Sequence, residues 1–355
     1  MTQIVTLKQL IGYARRVGAA VILLLAATAC SPAPSGLMQL HDYQQRVANT
    51  LSREAMPYQP QTPEQIPAAR ELRVTIPRLQ LSLLDSMRLD TCRAGSLIAE
   101  RNSSLGRLTS GVMRYYHDRE LLDALYDCAE QLETSEPELA QRVRQQAQAK
   151  QATMPQLRMQ AIVSDDSLRN VLRKADRALP EVEGAQLAPL FQAFNIILNT
   201  LNNDAELPAE NQLEQALEAL AKSAYLSQLW RALFDNQQYL QQLNPLVINI
   251  SAEAGCLSKG VPERARVLRQ VFIARFSGPV QQHISALVRQ AQQLEAYLDA
   301  LYAEPELLQT QPTLVKWNNY LRHIAALDDQ LVAETRNHVE FWQQLFTDCE
   351  FTPGA

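Results

Sequence analysis

Residues 280–301 read VQQHISALVRQAQQLEAYLDAL, and Val280, Ile284, Leu287, Ala291, Leu294, Leu298 and Leu301 fall at alternating spacings of four and three. Such spacing gathers the apolar side chains on one stripe of a helix and leaves Gln, Arg and Glu on the other side. Three heptads within a chain of 355 residues are expected to pack inside the molecule rather than against a second copy. A second stripe follows between Leu314 and about Phe346, carried by Trp317, Leu321, Ile324, Leu331, Val339 and Trp342, with Pro312 near its start. Joined by roughly a dozen residues, the two segments predict a long antiparallel C-terminal helical hairpin.

Upstream the same periodicity recurs. Leu40, Tyr43, Val47 and Leu51 make an amphipathic helix of Leu37–Glu54, and Leu121, Leu122, Leu125, Cys128, Ala129 and Leu132 do so within Arg119–Glu133. Ser135-Glu136-Pro137-Glu138 has the form of a capping box and predicts a helix start. Glycine is scarce, 11 of 355 residues, which argues against glycine-rich phosphate loops. The fold expected is therefore all-α, a multi-helix bundle. Two stretches interrupt it. Pro57, Pro60, Pro63, Pro67 and Pro77 predict a wrapping loop, with Leu72–Ile76 read as a brief strand; Asn244–Ile250 is read as a short extended segment. The polar turn Asn202-Asn203-Asp204-Ala205-Glu206-Leu207-Pro208 divides an N-terminal half, 37–203, from a C-terminal half, 204–355, unless 37–355 is one continuous domain.

Residues 1–29 contain Lys8, Arg15 and Arg16, no acid, and an apolar run from Val17 to Ala29 that is too short to span a bilayer. They read as a signal peptide. Ala27-Thr28-Ala29-Cys30 resembles the lipobox of bacterial lipoproteins, with Ala27 where Leu is more usual. The resemblance implies lipidation at Cys30, removal of residues 1–29, and, from Ser31, sorting to the outer membrane. Residues 30–36 would then be the lipidated cysteine and a Pro/Ser/Gly tether. The mature chain would keep 30 basic and 38 acidic side chains, a net charge of −8. That balance excludes a nucleic-acid partner and argues against a body lying flat on anionic lipid.

Four cysteines remain, Cys92, Cys128, Cys256 and Cys349, an even number in a chain destined for an oxidising space. Pairing Cys92 with Cys128 and Cys256 with Cys349 keeps each bridge within one half. Zinc is not expected: no CxxC occurs, and His41, His117, His283, His323 and His338 are scattered. No cofactor is expected either.

The densest polar cluster runs from Cys92 to Gly106 and includes Glu100, Arg101, Asn102 and Ser103. Leu97, Ile98, Arg101 and Leu105 can share one helix face, with Gly106 as a left-handed cap. Arg101 would pair with a carboxylate, or the four residues would line a ligand pocket beside the 92–128 bridge. With Tyr43-x-x-Arg46-Val47-Ala48-x-x-Leu51, Arg101-Asn102-Ser103-Ser104-Leu105-Gly106, Cys128, Cys256 and Cys349, the chain resembles a family of uncharacterised Gram-negative lipoproteins known only as a domain of unknown function. That resemblance implies no activity.

GxSxG, Ser-x-x-Lys of the penicillin-binding kind and HExxH are all missing. Arg264, Arg266, Arg269 and Arg275 form a basic face expected to make surface ion pairs. The function expected is a non-enzymatic periplasmic binding or scaffold lipoprotein of the outer membrane, held by its lipid anchor and contacting an envelope protein. The alternatives are a wall-acting hydrolase using Glu100 or Asp165, and a carrier with an apolar pocket among Phe191, Phe194, Ile196, Ile197 and Trp230.

Overall fold

In the computed structural model, which describes residues 35–77, 88–180, 182, 184–256 and 261–351, all regular structure is helical and no strand occurs among the described residues. Cys30 and the rest of 1–34 lie outside them. Helix α1, Ser35–Leu51, already includes the last two residues assigned to the tether. It packs against α8, Tyr225–Leu243, and against one continuous rod. That rod is made of α10 (Glu263–Val271), a π-helical segment Phe272–Val280 and α11 (Gln281–Gln292). Pro279, which has no N–H to give an α-helical ladder, sits inside the π segment.

The heptad seam is buried along its whole length. Its helix breaks after Gln292, resumes as α12 (Glu295–Asp299), and leads through α13 (Pro305–Thr310) to α14 (Leu314–Ala325) and α15 (Leu327–Asp348). α11 packs on α15 and α12 on α14, the pairing of an antiparallel hairpin. Each arm is two helices rather than one. Trp317 and Trp342 are fully buried, the Trp317 indole donating to the Leu301 carbonyl at 3.0 Å.

The proline-rich span is an ordered wrapping loop, but Leu72–Ile76 is not a strand. Val74 N–H donates to Gln160 Oε1 at 3.0 Å, and Thr75 exchanges two hydrogen bonds with the Gln311 amide, at 3.0 and 3.2 Å. Without a strand beside it, this backbone finds its partners in side-chain amides. Asn244–Ile250 is likewise not extended: Asn244–Leu246 is a 3-10 turn that leads into α9, Ile250–Ala254. The predicted capping box does not form either. Helix α4, Pro137–Ser164, starts one residue later, with Glu136 at the N-cap making no side-chain cap and Pro137 in the first turn.

Both disulfides are those expected, Cys92–Cys128 with Cα atoms 5.5 Å apart and Cys256–Cys349 with Cα atoms 4.8 Å apart. The second joins the end of α9 to the end of α15. The first staples α2 (Arg93–Asn102) to α3 (Gly111–Gln131). Around that bridge Leu89, Leu125, Leu139, Val143 and Ala147 form a satellite core, separate from the main core that runs from Leu37 to Cys349. The main core holds side chains from both sides of 202–208. That turn joins α6 (Leu187–Leu201) to α7 (Glu210–Lys222), and buried Arg119 of α3 holds it by donating to the carbonyls of Asn199, Thr200, Asn203 and Ala205. A guanidinium is well suited to this, since its fork supplies several donors to carbonyls a helix end leaves open.

Candidate functional site

Helix α2 ends at Asn102, where Ser103 turns extended, so Leu105 belongs to the following loop and not to the helix face. Ser103 Oγ accepts from Gly106 N–H at 2.9 Å, and the Gly106 carbonyl accepts from Arg114 Nη1 at 2.8 Å. Gly106 is not a left-handed cap, because its φ lies outside the positive range. Glycine is needed there for room, since a Cβ would collide with the Glu100 carbonyl. Gly111, at φ +62°, does need its freedom: it begins α3 against the Asp165 carboxylate.

These turns frame a cleft of about 570 Å³. Glu100, Arg101 and Ser103 line it, together with Arg114 and His117 of α3 and Glu210 and Glu214 of α7. Asn102 is exposed and does not line it. Leu97, Leu105 and Leu121 supply its apolar wall. Beneath it, Arg101 Nη1 binds Asp118 Oδ1, and Lys150 Nζ donates to the same oxygen at 2.7 Å. Asp118 and Lys150 are buried, at 0% and 1% exposure, and Asp118 Oδ2 has no hydrogen-bond partner among the described residues. Burial, then the fields of Arg101 and Arg114, push the Lys150 ammonium down to about 7. Burial, then the charge of Arg114, lowers Arg101 to about 10; burial lowers Arg114 too. His117 links the walls, with Glu120 at 3.3 Å and Glu210 at 3.7 Å.

The sequence reading found Glu100, Arg101 and Ser103 but missed Asp118, Lys150 and Arg114. Asp118 and Lys150 nevertheless carry a signal. Asp118 sits three residues after buried Tyr115, and Lys150 falls in the series Leu139, Val143, Ala147, Met154, so each places a charge at an apolar-stripe position. A charge there is almost always paired.

Other predicted sites take structural roles. Asp165 caps α5, Asp166–Leu172, accepting from Ser167 and Leu168 N–H and also from Val112 N–H, and burial raises its pKa. Phe191 stacks on Tyr297, Phe194 packs against the same ring at a tilt, and the Trp230 indole donates to the Val171 carbonyl at 2.9 Å. Arg266 and Arg275 pair with Glu263 and Asp42, and Arg264 donates to the Glu253 carbonyl. An apolar-floored groove of about 700 Å³ also runs between α11 and α15, away from every predicted site residue. Among the described residues no group of three or more His, Cys, Asp or Glu is placed to hold a metal ion, and no helix is long and apolar enough to cross a membrane.

Residues 40–353 match the profile of a family described as "Protein of unknown function (DUF3080)". No curated protein and no solved structure matches the chain.

Proposed function

We propose that this chain, which belongs to the DUF3080 family of proteins of unknown function, is an outer-membrane lipoprotein that faces the periplasm and binds or scaffolds an envelope partner without catalysing a reaction. The lipid anchor is read from Lys8, Arg15, Arg16, the apolar run to Ala29 and Cys30. Two disulfides support an oxidising compartment, because cytosolic thiols are kept reduced.

The observation that carries the binding role is the cleft at the Arg101 turn. It joins half-buried guanidinium groups to an apolar wall on a frame stapled by Cys92–Cys128. Its loop projects Leu105 and Leu108, 80% and 78% exposed and on one turn, as apolar contact area for a partner. Of the two acids named for hydrolysis, Glu100 stays on the cleft wall, while Asp165 already accepts three backbone N–H groups as a cap, which favours binding over a paired-carboxylate reaction.

Mass spectrometry of the mature N-terminus tests the anchor: acyl chains on Cys30 are expected, and a free thiol on an uncleaved chain defeats it. A photocrosslinker at Leu108 in intact envelopes tests the binding role. One discrete adduct is expected from position 108 and none from exposed Glu306; equal or diffuse labelling at the two positions defeats the reading.

A further inference from the structure

The charges around the cleft do not balance at its base. Arg101 and Lys150 share one buried carboxylate, Asp118, and Arg114 lines the cleft with Arg101 but is bonded to the Gly106 carbonyl instead. Arg101 and Arg114 line the same cleft, and the positive charge of Arg114 acts against that of Arg101. Arg114 makes one hydrogen bond, to the Gly106 carbonyl, and has no ion pair among the described residues. Both guanidinium groups are half-buried, like charges in one cleft repel each other, and the cleft they line is of a size that takes small ligands. At the rim the sign reverses. Glu210, with 54% of its side chain exposed, and the exposed Glu214 stand on α7 across from them, with Glu100 at the end of α2. The mouth therefore repels a simple anion that the base attracts.

We infer that the cleft binds a small zwitterion, its phosphate or carboxylate oxyanion held between Arg101 and Arg114 and its ammonium group set against Glu210 and Glu214. A guanidinium pair recognises either oxyanion through paired N–H donors, so both are one ligand chemistry. The apolar wall of Leu97, Leu105 and Leu121 faces whatever carbon frame joins the two charges. This inference rests on the cleft being the binding site proposed above and names the class of molecule it takes.

The test is calorimetric titration of the full chain with phosphoethanolamine, with the dipeptide Ala-Ala, and with inorganic phosphate. One of the two zwitterions is expected to bind one per chain, at least tenfold tighter than inorganic phosphate. Phosphoethanolamine as the tighter ligand assigns a phosphate head, and Ala-Ala a carboxylate. Arg114→Gln should weaken that ligand at least tenfold. Glu214→Gln, at an exposed position where folding is not at stake, should reduce its preference over phosphate. Phosphate binding as tightly as both zwitterions, no binding of any probe at millimolar concentration, or unchanged affinity in both variants overturns the inference. A discrete adduct from Leu108 alongside failed titrations would leave the binding role standing and remove only the ligand class.

Discussion

The Tyr43 hydroxyl donates a 2.8 Å hydrogen bond to His338 Nε2, tying α1 to α15 across 295 residues of sequence. Both side chains are fully buried. Asn244 turns its amide nitrogen to Glu334 and its Oδ1 to His338 Nδ1, at 2.7 Å, so Nδ1 carries the proton and Nε2 accepts, from Tyr43 and from the Trp342 indole at 3.2 Å. Tyr43→Phe removes one donor and leaves the ring otherwise in place. It should cost about 1–2 kcal/mol, read as a lower urea midpoint with an unchanged denaturant slope.

The same histidine predicts an acid dependence. Burial lowers the His338 pKa to about 3, against an ordinary value of 6.5. Below pH 6.5 the unfolded chain takes up a proton that the folded chain refuses, so stability falls as pH drops. The contribution is complete above 6.5 and shrinks by up to about 1.4 kcal/mol per pH unit toward pH 3. Urea melts at pH 7, 6, 5 and 4 should show this slope, and His338→Gln should flatten it.

Among the described residues Asp118 is the only carboxylate bonded to both Arg101 and Lys150. Asp118→Asn leaves two cationic groups without their counter-charge, one of them fully buried, and should destabilise by about 3–5 kcal/mol. Arg101→Ala keeps the Lys150 pair and should cost less, about 1–3 kcal/mol. Thermal denaturation of the two variants checks the order, and an equal or reversed order would show that Lys150 is not held by Asp118.

The bridges close loops of different length, with sequence separations of 36 and 93. In the chain-entropy description their removal costs about 4 and about 5 kcal/mol respectively. Replacing Cys92 and Cys128 by Ala should loosen mainly the satellite core, seen as faster amide exchange in α2 and α3. Replacing Cys256 and Cys349 should lower the main transition, because that bridge lies in the main core.

Gln311 supplies both hydrogen bonds that hold Thr75. Gln311→Leu removes both bonds from exposed Thr75, whose backbone groups water can then reach, and should cost about 1 kcal/mol. Trypsin cleavage after Arg73 should accelerate in the variant at a temperature where α15 still resists exchange.

Much of this was legible in residue order. Stripes of period 3.6 gave the helices and the C-terminal hairpin, because burial of one face is a local property of the sequence. Even cysteine number and position within each half gave both bridges. The Arg101 turn stood out as a dense polar stretch. What the sequence read wrongly was backbone whose partners lie far away: Leu72–Ile76 pairs with no strand, and its hydrogen-bond partners, Gln160 and Gln311, are side chains in and at the end of helices.

Sequence alone thus determined the helical class, the apolar faces, the cysteine pairs and the residues of one cleft wall, since each follows from spacing along a single segment. Only the tertiary structure decided that Arg101 meets Asp118 and Lys150, that Glu210 and Glu214 face Arg114 across the cleft, and that His338 is clasped by Tyr43 and Asn244. Those relationships depend on how separate helices dock, and a charge has no fixed partner until docking removes the water that would otherwise solvate it.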